Sequence, residues 1–276
     1  MDTRTIFHIA TQELTINIRN KWTVIFAWIF GLLVVSIAYF GTMVEGFSGM
    51  QSFTRTSASI LNLVLYIVPL VALVMGTLSF TGDKGSAELL YSQPVSRSEV
   101  LFGKFIGVFW SLAISTLLGF VLSGVIIFLQ TGSEGVASYC LFVGLSLGLS
   151  LTFLSLAAVV SVASGRKSKA FGVSLFVWFF FVLFYDLLAL GGTLLLRGQT
   201  ANTFLFLSLF GNPVGMVRVA SLIILDDVTI FGTAGAALIR YLGGSVLSVV
   251  LLVAGLSVWI MFPLYTSHKV LRRQDI

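Results

Sequence analysis

Six stretches of this chain are each long and apolar enough to cross a bilayer as a helix: Trp22 to Val44, Ala58 to Thr81, Lys104 to Gln130, Tyr139 to Ala163, Phe171 to Leu195 and Ser245 to Pro263. About 20 apolar residues suffice to cover the roughly 30 Å hydrocarbon core. With 57% hydrophobic and 10% charged residues, against about 25% charged in a soluble domain, the sequence reads as an all-α polytopic membrane protein with six transmembrane helices, one domain over residues 1–276. The first run is too long for a cleaved leader and follows an extended polar segment, and Tyr39 to Met43 offers no small-x-small cleavage site, so it is expected to stay as an anchor. Cys140 is the one cysteine, which rules out an intrachain disulfide or a cysteine metal cluster.

Orientation follows from the basic residues, because cytoplasmic loops retain Lys and Arg. Twelve of the sixteen fall on one side: Arg4, Arg19 and Lys21; Lys84, Arg97 and Lys104; Arg166, Lys167 and Lys169; Lys269, Arg272 and Arg273. Arg55, Arg197, Arg218 and Arg240 fall on the other. Both termini are then expected in the cytoplasm. The net charge of +5 calls for no nucleic acid, since basic loops beside anionic head groups account for it.

Residues Thr3 to Asn20 interleave Ile6, Phe7, Ile9, Ala10, Leu14 and Ile18 with polar residues, the pattern of an amphipathic interfacial helix; a disordered tail is the plainer alternative. Between the second and third spans lies a compact polar loop, Gly82 to Lys104. Ser86 can cap a short cytoplasmic helix through Leu89 to Ser92, and Pro94 ends it. Ser96 and Glu99 then form a capping box that starts the third span, with Val95 and Val100 placed as a staple. The third span carries small residues at every fourth position, Gly103, Gly107, Ser111, Ser115, Gly119 and Ser123, a strip for close helix packing within the chain or across a dimer. Between the fifth and sixth spans, Arg197 to Gly244 is neither span nor polar loop. Asn212 and Pro213 make a cap and first-turn pair before the apolar Val214 to Leu225. Short extracytoplasmic helices on or dipping into the outer leaflet are expected; an extra pair of spans competes.

Several chemistries fail on their own requirements. Gly144-Leu145-Ser146-Leu147-Gly148 has the pattern of a serine nucleophile, but His8 and His268 both lie at cytoplasmic ends and leave Ser146 without a base; Gly144 and Gly148 read better as a packing face. Gly103-Lys104 is similar to the end of a phosphate-binding loop, yet Ser98 and Phe105 occupy positions where that loop needs Gly and Ser or Thr. Met43, Met75, Met216 and Met261 are scattered with no His or Cys beside them, so no metal site is expected. Asp186 is the acid set most clearly inside a span, where a charge costs about 2.5 to 3.5 kcal/mol on insertion scales. It is an intramembrane functional candidate, with pairing to Arg197, Arg218 or Arg240, or protonation, as the structural alternative.

Glu88-Leu89-Leu90-Tyr91-Ser92-Gln93-Pro94-Val95-Ser96-Arg97-Ser98-Glu99, the following Gly103-Lys104, and Glu13-Leu14 resemble the ABC-2 type permeases. Ser-Gln-Pro-Val-Ser-Arg and Gly211-Asn212-Pro213-Val214 narrow the likeness to permeases that support maturation of the copper sites of nitrous oxide reductase. The sequence departs from those relatives at Thr11-Gln12 before Glu13 and at Gly82-Asp83-Lys84-Gly85 before Ser86. The resemblance implies a noncatalytic subunit of the bacterial inner membrane that pairs with a second copy of itself and binds no cofactor. ATP and Mg would sit in a cytoplasmic ABC ATPase partner. A periplasmic beta-helical protein would rest on the outer face. Coupling to the ATPase would fall to Glu13, Glu88, Gln93, Pro94, Arg97 and Glu99, and docking of the periplasmic partner to Asn212, Pro213, Met216, Arg218, Asp226 and Asp227. The rival functions are an ABC exporter permease for a small solute such as a sulfur species and an ATPase-independent carrier.

Overall fold

The computed structural model describes residues 2–42, 50–81, 95–133, 135–196, 198–225 and 244–273. Ten α-helices and one π segment make up the described elements: α1 (Thr3–Arg19), α2 (Lys21–Thr42), α3 (Met50–Phe80), α4 (Arg97–Thr131), α5 (Val136–Ser164), α6 (Lys167–Phe179), a π segment (Phe180–Phe184), α7 (Tyr185–Leu195), α8 (Gln199–Phe210), α9 (Pro213–Ile224) and α10 (Ser245–Arg273). Six are long and apolar enough to cross a membrane, the fifth being α6, the π segment and α7 together. The polytopic all-α fold read from the sequence is the fold observed. The basic residues mark one end of the bundle, where α1 lies; the α4–α5 turn is at the opposite end.

At 35 residues, α4 runs about 52 Å at 1.5 Å per residue, well beyond one bilayer. Its first turns are covered by α1 and its remainder by α2. Asn20 separates α1 from α2: it leaves the helical region at ψ 127, and its side-chain oxygen accepts from Trp22 N at 3.0 Å to start the next helix. The packing face of α1 follows a three-to-four-residue spacing through Ala10, Glu13, Leu14 and Asn17, while Phe7, Ile16 and Ile18 stay exposed.

The strip of small residues on α4 serves packing within the chain. A Cβ built on Gly103 would lie 2.7 Å from Ile9 of α1, and one on Gly107 would lie 2.5 Å from Ala10 O. Further along, one on Gly119 would lie 3.1 Å from the Cα of Gly31, where α4 crosses α2 backbone to backbone. Such approaches let dispersion and weak polar contacts do the work that hydrophobicity cannot do between helices in lipid. Gly76 of α3 meets Leu154 and Ala157 of α5 in the same way. Gly148 packs against Leu256 of α10, but nothing lies within 4 Å of a Cβ on Gly144, so the paired packing face expected there reduces to Gly148 alone.

The segment after the fifth span folds as a re-entrant hairpin. Helices α8 and α9 meet at a 102° bend, and each has 12 residues, too few to cross alone. Asn212, at the bend, donates to Phe181 O at 3.1 Å, and Trp259 of α10 donates to Phe210 O at 2.9 Å. Phe181 and Trp259 each stand at the midpoint of their helical spans, so the bend sits beside the middle of both, well inside the bundle. Helix α9 returns through the middle of the bundle, packed by α3, α5, α8 and α10, with ten of its residues buried.

Candidate functional site

At the basic end, the start of α4 is organised by Glu99. Ser96 Oγ accepts from Glu99 N at 3.3 Å and Glu99 Oε2 accepts from Ser96 N at 3.0 Å. This is the capping box that the sequence spells out. The other carboxylate oxygen, Oε1, accepts from Asp2 N at 2.7 Å, while Asp2 caps α1 by accepting from Arg4 N at 3.0 Å. One buried carboxylate, 8% exposed, therefore joins the starts of two helices.

A second junction lies at the end of α3. Ser79 Oγ donates to Glu13 Oε1, and Asn17 Nδ2 donates to the same oxygen at 3.1 Å. Lys104 Nζ donates to Ser79 O at 2.7 Å. Since α3 enters the polar loop at Thr81 and α4 leaves it at Ser96, Ser79 and Lys104 fasten the two roots of that loop to each other and, through Glu13, to α1. Arg97 is partly buried, with Nη1 3.5 Å from Leu271 O at the end of α10. The structure thus brings Glu13, Arg97 and Glu99 to one corner, with both acids turned inward. Glu13 fixes α1 against α3, and Glu99 fixes α1 against α4. Glu88, Gln93, Pro94 and the expected short loop helix lie outside the described residues.

At the hairpin, the intramembrane acid has a partner. Asp186 Oδ2 pairs with Arg218 Nη1, and Asp186 Oδ1 accepts from Asn212 Nδ2 at 3.1 Å. The ion pair is the structural alternative anticipated for Asp186, with Arg218 as the cation. Asn212 Oδ1 caps α9 by accepting from Val214 N at 3.0 Å. This arrangement corrects part of the docking surface expected from the sequence. Asn212 and Met216 are each 1% exposed and Pro213 is buried too, because the apolar residues that looked like an outer surface line the inside of the re-entrant helix. Arg218 is partly exposed, with 31% of its side chain accessible, and is engaged with Asp186; Asp226 and Asp227 lie outside the described residues. Sequence reasoning missed Ser79, Tyr185 and Trp259, whose side-chain donors reach distant acceptors, the Glu13 carboxylate for Ser79 and backbone carbonyls for Tyr185 and Trp259, and carry no local signature.

A family model described as "ABC-2 family transporter protein" matches residues 7–276. This chain belongs to the ABC-2 family. Among known relatives of this permease, the "Probable ABC transporter permease protein NosY" of Pseudomonas aeruginosa is 33% identical over 278 residues, covering 98% of this chain and 99% of that protein. The protein of the same description from Stutzerimonas stutzeri is 34% identical over 225 residues, covering 79% of this chain and 81% of that one. An ABC-2 permease is the membrane-spanning subunit of an ABC transporter, so the chain is a multi-pass membrane protein of that class.

Proposed function

We propose that this ABC-2 permease is a mechanical coupler in a complex that assembles the copper sites of nitrous oxide reductase. Two relatives that bear the NosY description support the choice of complex. The observation that carries the coupling reading is the corner at the basic end. There the roots of the polar loop and the whole of α1 are joined through Glu13, Ser79, Glu99 and Lys104. A push on the loop would move α1, α3 and α4 together.

In this reading the basic end faces the cytoplasm of a bacterial cell, both termini included. The loop of residues 82–94 meets an ABC ATPase that holds ATP and Mg, and a second copy of the permease completes the membrane unit. A periplasmic beta-helical partner lies on the opposite face. The span hydroxyls of Ser111, Ser115, Thr116, Ser123, Ser146 and Thr152 bond to carbonyls of their own helices, an arrangement that suits packed, moving helices better than a wet path for solute.

The test is Arg97→Glu in the whole complex, with ATPase rate and reductase copper content read side by side. The expected result is hydrolysis that no longer matures the reductase, with normal insertion of the permease. Wild-type coupling in that variant would overturn the reading. Uptake or release of a small sulfur compound by vesicles carrying the purified complex, dependent on ATP, would favour an exporter instead.

A further inference from the structure

A helix broken inside a membrane-spanning bundle exposes backbone groups where no water can satisfy them, and such breaks persist only where protein supplies the partners. At the α8–α9 bend, Gly211 N donates to Ser208 O at 3.0 Å and Asn212 N to Leu209 O at 3.2 Å, and side chains supply further partners. Tyr185 donates to Ser208 O at 2.8 Å and Trp259 Nε1 donates to Phe210 O at 2.9 Å, which serves the end of α8. Asn212 Oδ1 serves the start of α9, and its Nδ2 reaches back into the fifth span, to Phe181 O within the π segment and to Asp186 just beyond it. The π segment itself is a local widening of the helix of the kind that clusters at functional positions. Six residues after Asn212, Arg218 grips the same Asp186 carboxylate. The hairpin is therefore tied to the fifth span at two points by one side chain, and Gly198, with φ +62, stands just before α8.

We propose that Asp186, Asn212 and Arg218 are positioning residues that lock the re-entrant hairpin to the fifth span, so that a tilt of that span swings the outer end of α9 with it. The lock follows from the geometry; its role in transmitting motion rests on the coupling reading above. Asp186 and Arg218 keep 40% and 31% of their side chains accessible, so the pair sits at the edge of the bundle, where relative motion of the two elements would strain it first.

The experiment uses the full complex in lipid nanodiscs and amide hydrogen exchange read by mass spectrometry. The variants are Asp186→Asn, Arg218→Met, Asn212→Ala and the exchange Asp186→Arg with Arg218→Asp. Each single change is expected to speed exchange in residues 213–224 on the order of tenfold by local opening, with α5 unchanged, and the charge exchange is expected to restore the part of the protection that the ion pair supplies, since arginine at 186 cannot accept from Asn212. Restoration separates pairing from a general packing defect, and the exchanged pair stands in if a single variant fails to insert. Unaltered exchange in 213–224 in the single variants, or no restoration in the exchanged pair, would overturn the lock. Reductase copper content and ATPase rate are read on the same samples. An opened hairpin with full maturation would leave the lock standing and overturn its role in transmission.

Discussion

Gly107 offers the sharpest test of how α1 is held. A Cβ added there would stand 2.5 Å from Ala10 O, 2.7 Å from Glu13 Cβ and 3.1 Å from Leu14 N, against an ordinary contact of 3.4 Å or more. Two of these three obstacles are backbone atoms and the third is a Cβ, so no side-chain rotation relieves them. Helix α1 would have to withdraw by roughly 1 Å, and overpacking of this kind costs about 1–3 kcal/mol. Alanine also gains up to about 1 kcal/mol over glycine inside a helix. Gly144 of α5 isolates that gain, because nothing lies within 4 Å of its added Cβ. The difference between Gly107→Ala and Gly144→Ala is then the overlap itself, about 1–3 kcal/mol. Thermal unfolding in detergent measures that difference, and the mobility of a spin label at the exposed position 8 shows whether α1 is the element that moves. Equal stability of the two alanine variants, with an unchanged label, would refute close seating of α1 on α4.

The other corners make narrower predictions. Ser96→Ala removes the cap of α4 and is expected to lower stability by about 1 kcal/mol in the same melt, with Ser96→Asp restoring it. Gly135 has φ +85 and lies against the Phe53 ring, with a built Cβ 2.5 Å away, whereas Gly165 has φ +63 in the same left-handed region and open space. Alanine at Gly165 should cost only the left-handed backbone penalty of about 1–2 kcal/mol, and alanine at Gly135 more; equal melting temperatures would contradict this. Thr77 Oγ1 and Ser174 Oγ lie 2.6 Å apart and fully buried. A double-mutant cycle with alanine at both should show coupling of about 0.6 kcal/mol, the membrane average for such bonds, and zero coupling would remove this pair as a link.

The spans were legible because a run of apolar residues long enough to cross a bilayer has few other uses, and the Ser96–Glu99 box and the Asn212–Pro213 start were legible because both are decided within four residues of chain. The depth of the hairpin was not. Val214 to Leu225 is apolar whether it lies on a membrane surface or is buried in a bundle, and what decides the matter is the pair of donors on Tyr185 and Trp259, far off in sequence. The strip from Gly103 to Ser123 announced a close approach without naming the partner, and left packing within the chain and across a dimer equally open. Ile9 and Ala10 meet Gly103 and Gly107, and Gly31 meets Gly119; only the fold brings them together. The coupling role of Glu13 and Glu99 comes from the family resemblance alone, which says nothing of what each carboxylate touches within the chain. Here each carboxylate has nearer donors in helix starts and ends.

Those inward acids give the two ends of the molecule a common frame. Glu13 holds Ser79 at the end of α3. Two residues earlier, Thr77 of α3 bonds Ser174 of the fifth span, and three turns further up, Tyr66 O of α3 accepts from Trp178 Nε1 of the same span at 2.9 Å. The fifth span then carries the Asp186 carboxylate that holds the hairpin. Helix α3 and the fifth span are thus pinned to each other at two depths, so they resist sliding past one another, and the first place along this route where the helix ladder changes register is the π segment at Phe180–Phe184. A rigid stretch that ends in a register change, beside an ion pair on a broken helix, is where movement imposed at α1 would be converted into movement of the hairpin. Contiguity alone establishes a route and not a coupling. The Thr77–Ser174 cycle, read on maturation as well as on stability, distinguishes the two: a hydroxyl pair that only holds the fold changes the melt, while one that carries motion changes how much maturation each ATP supports.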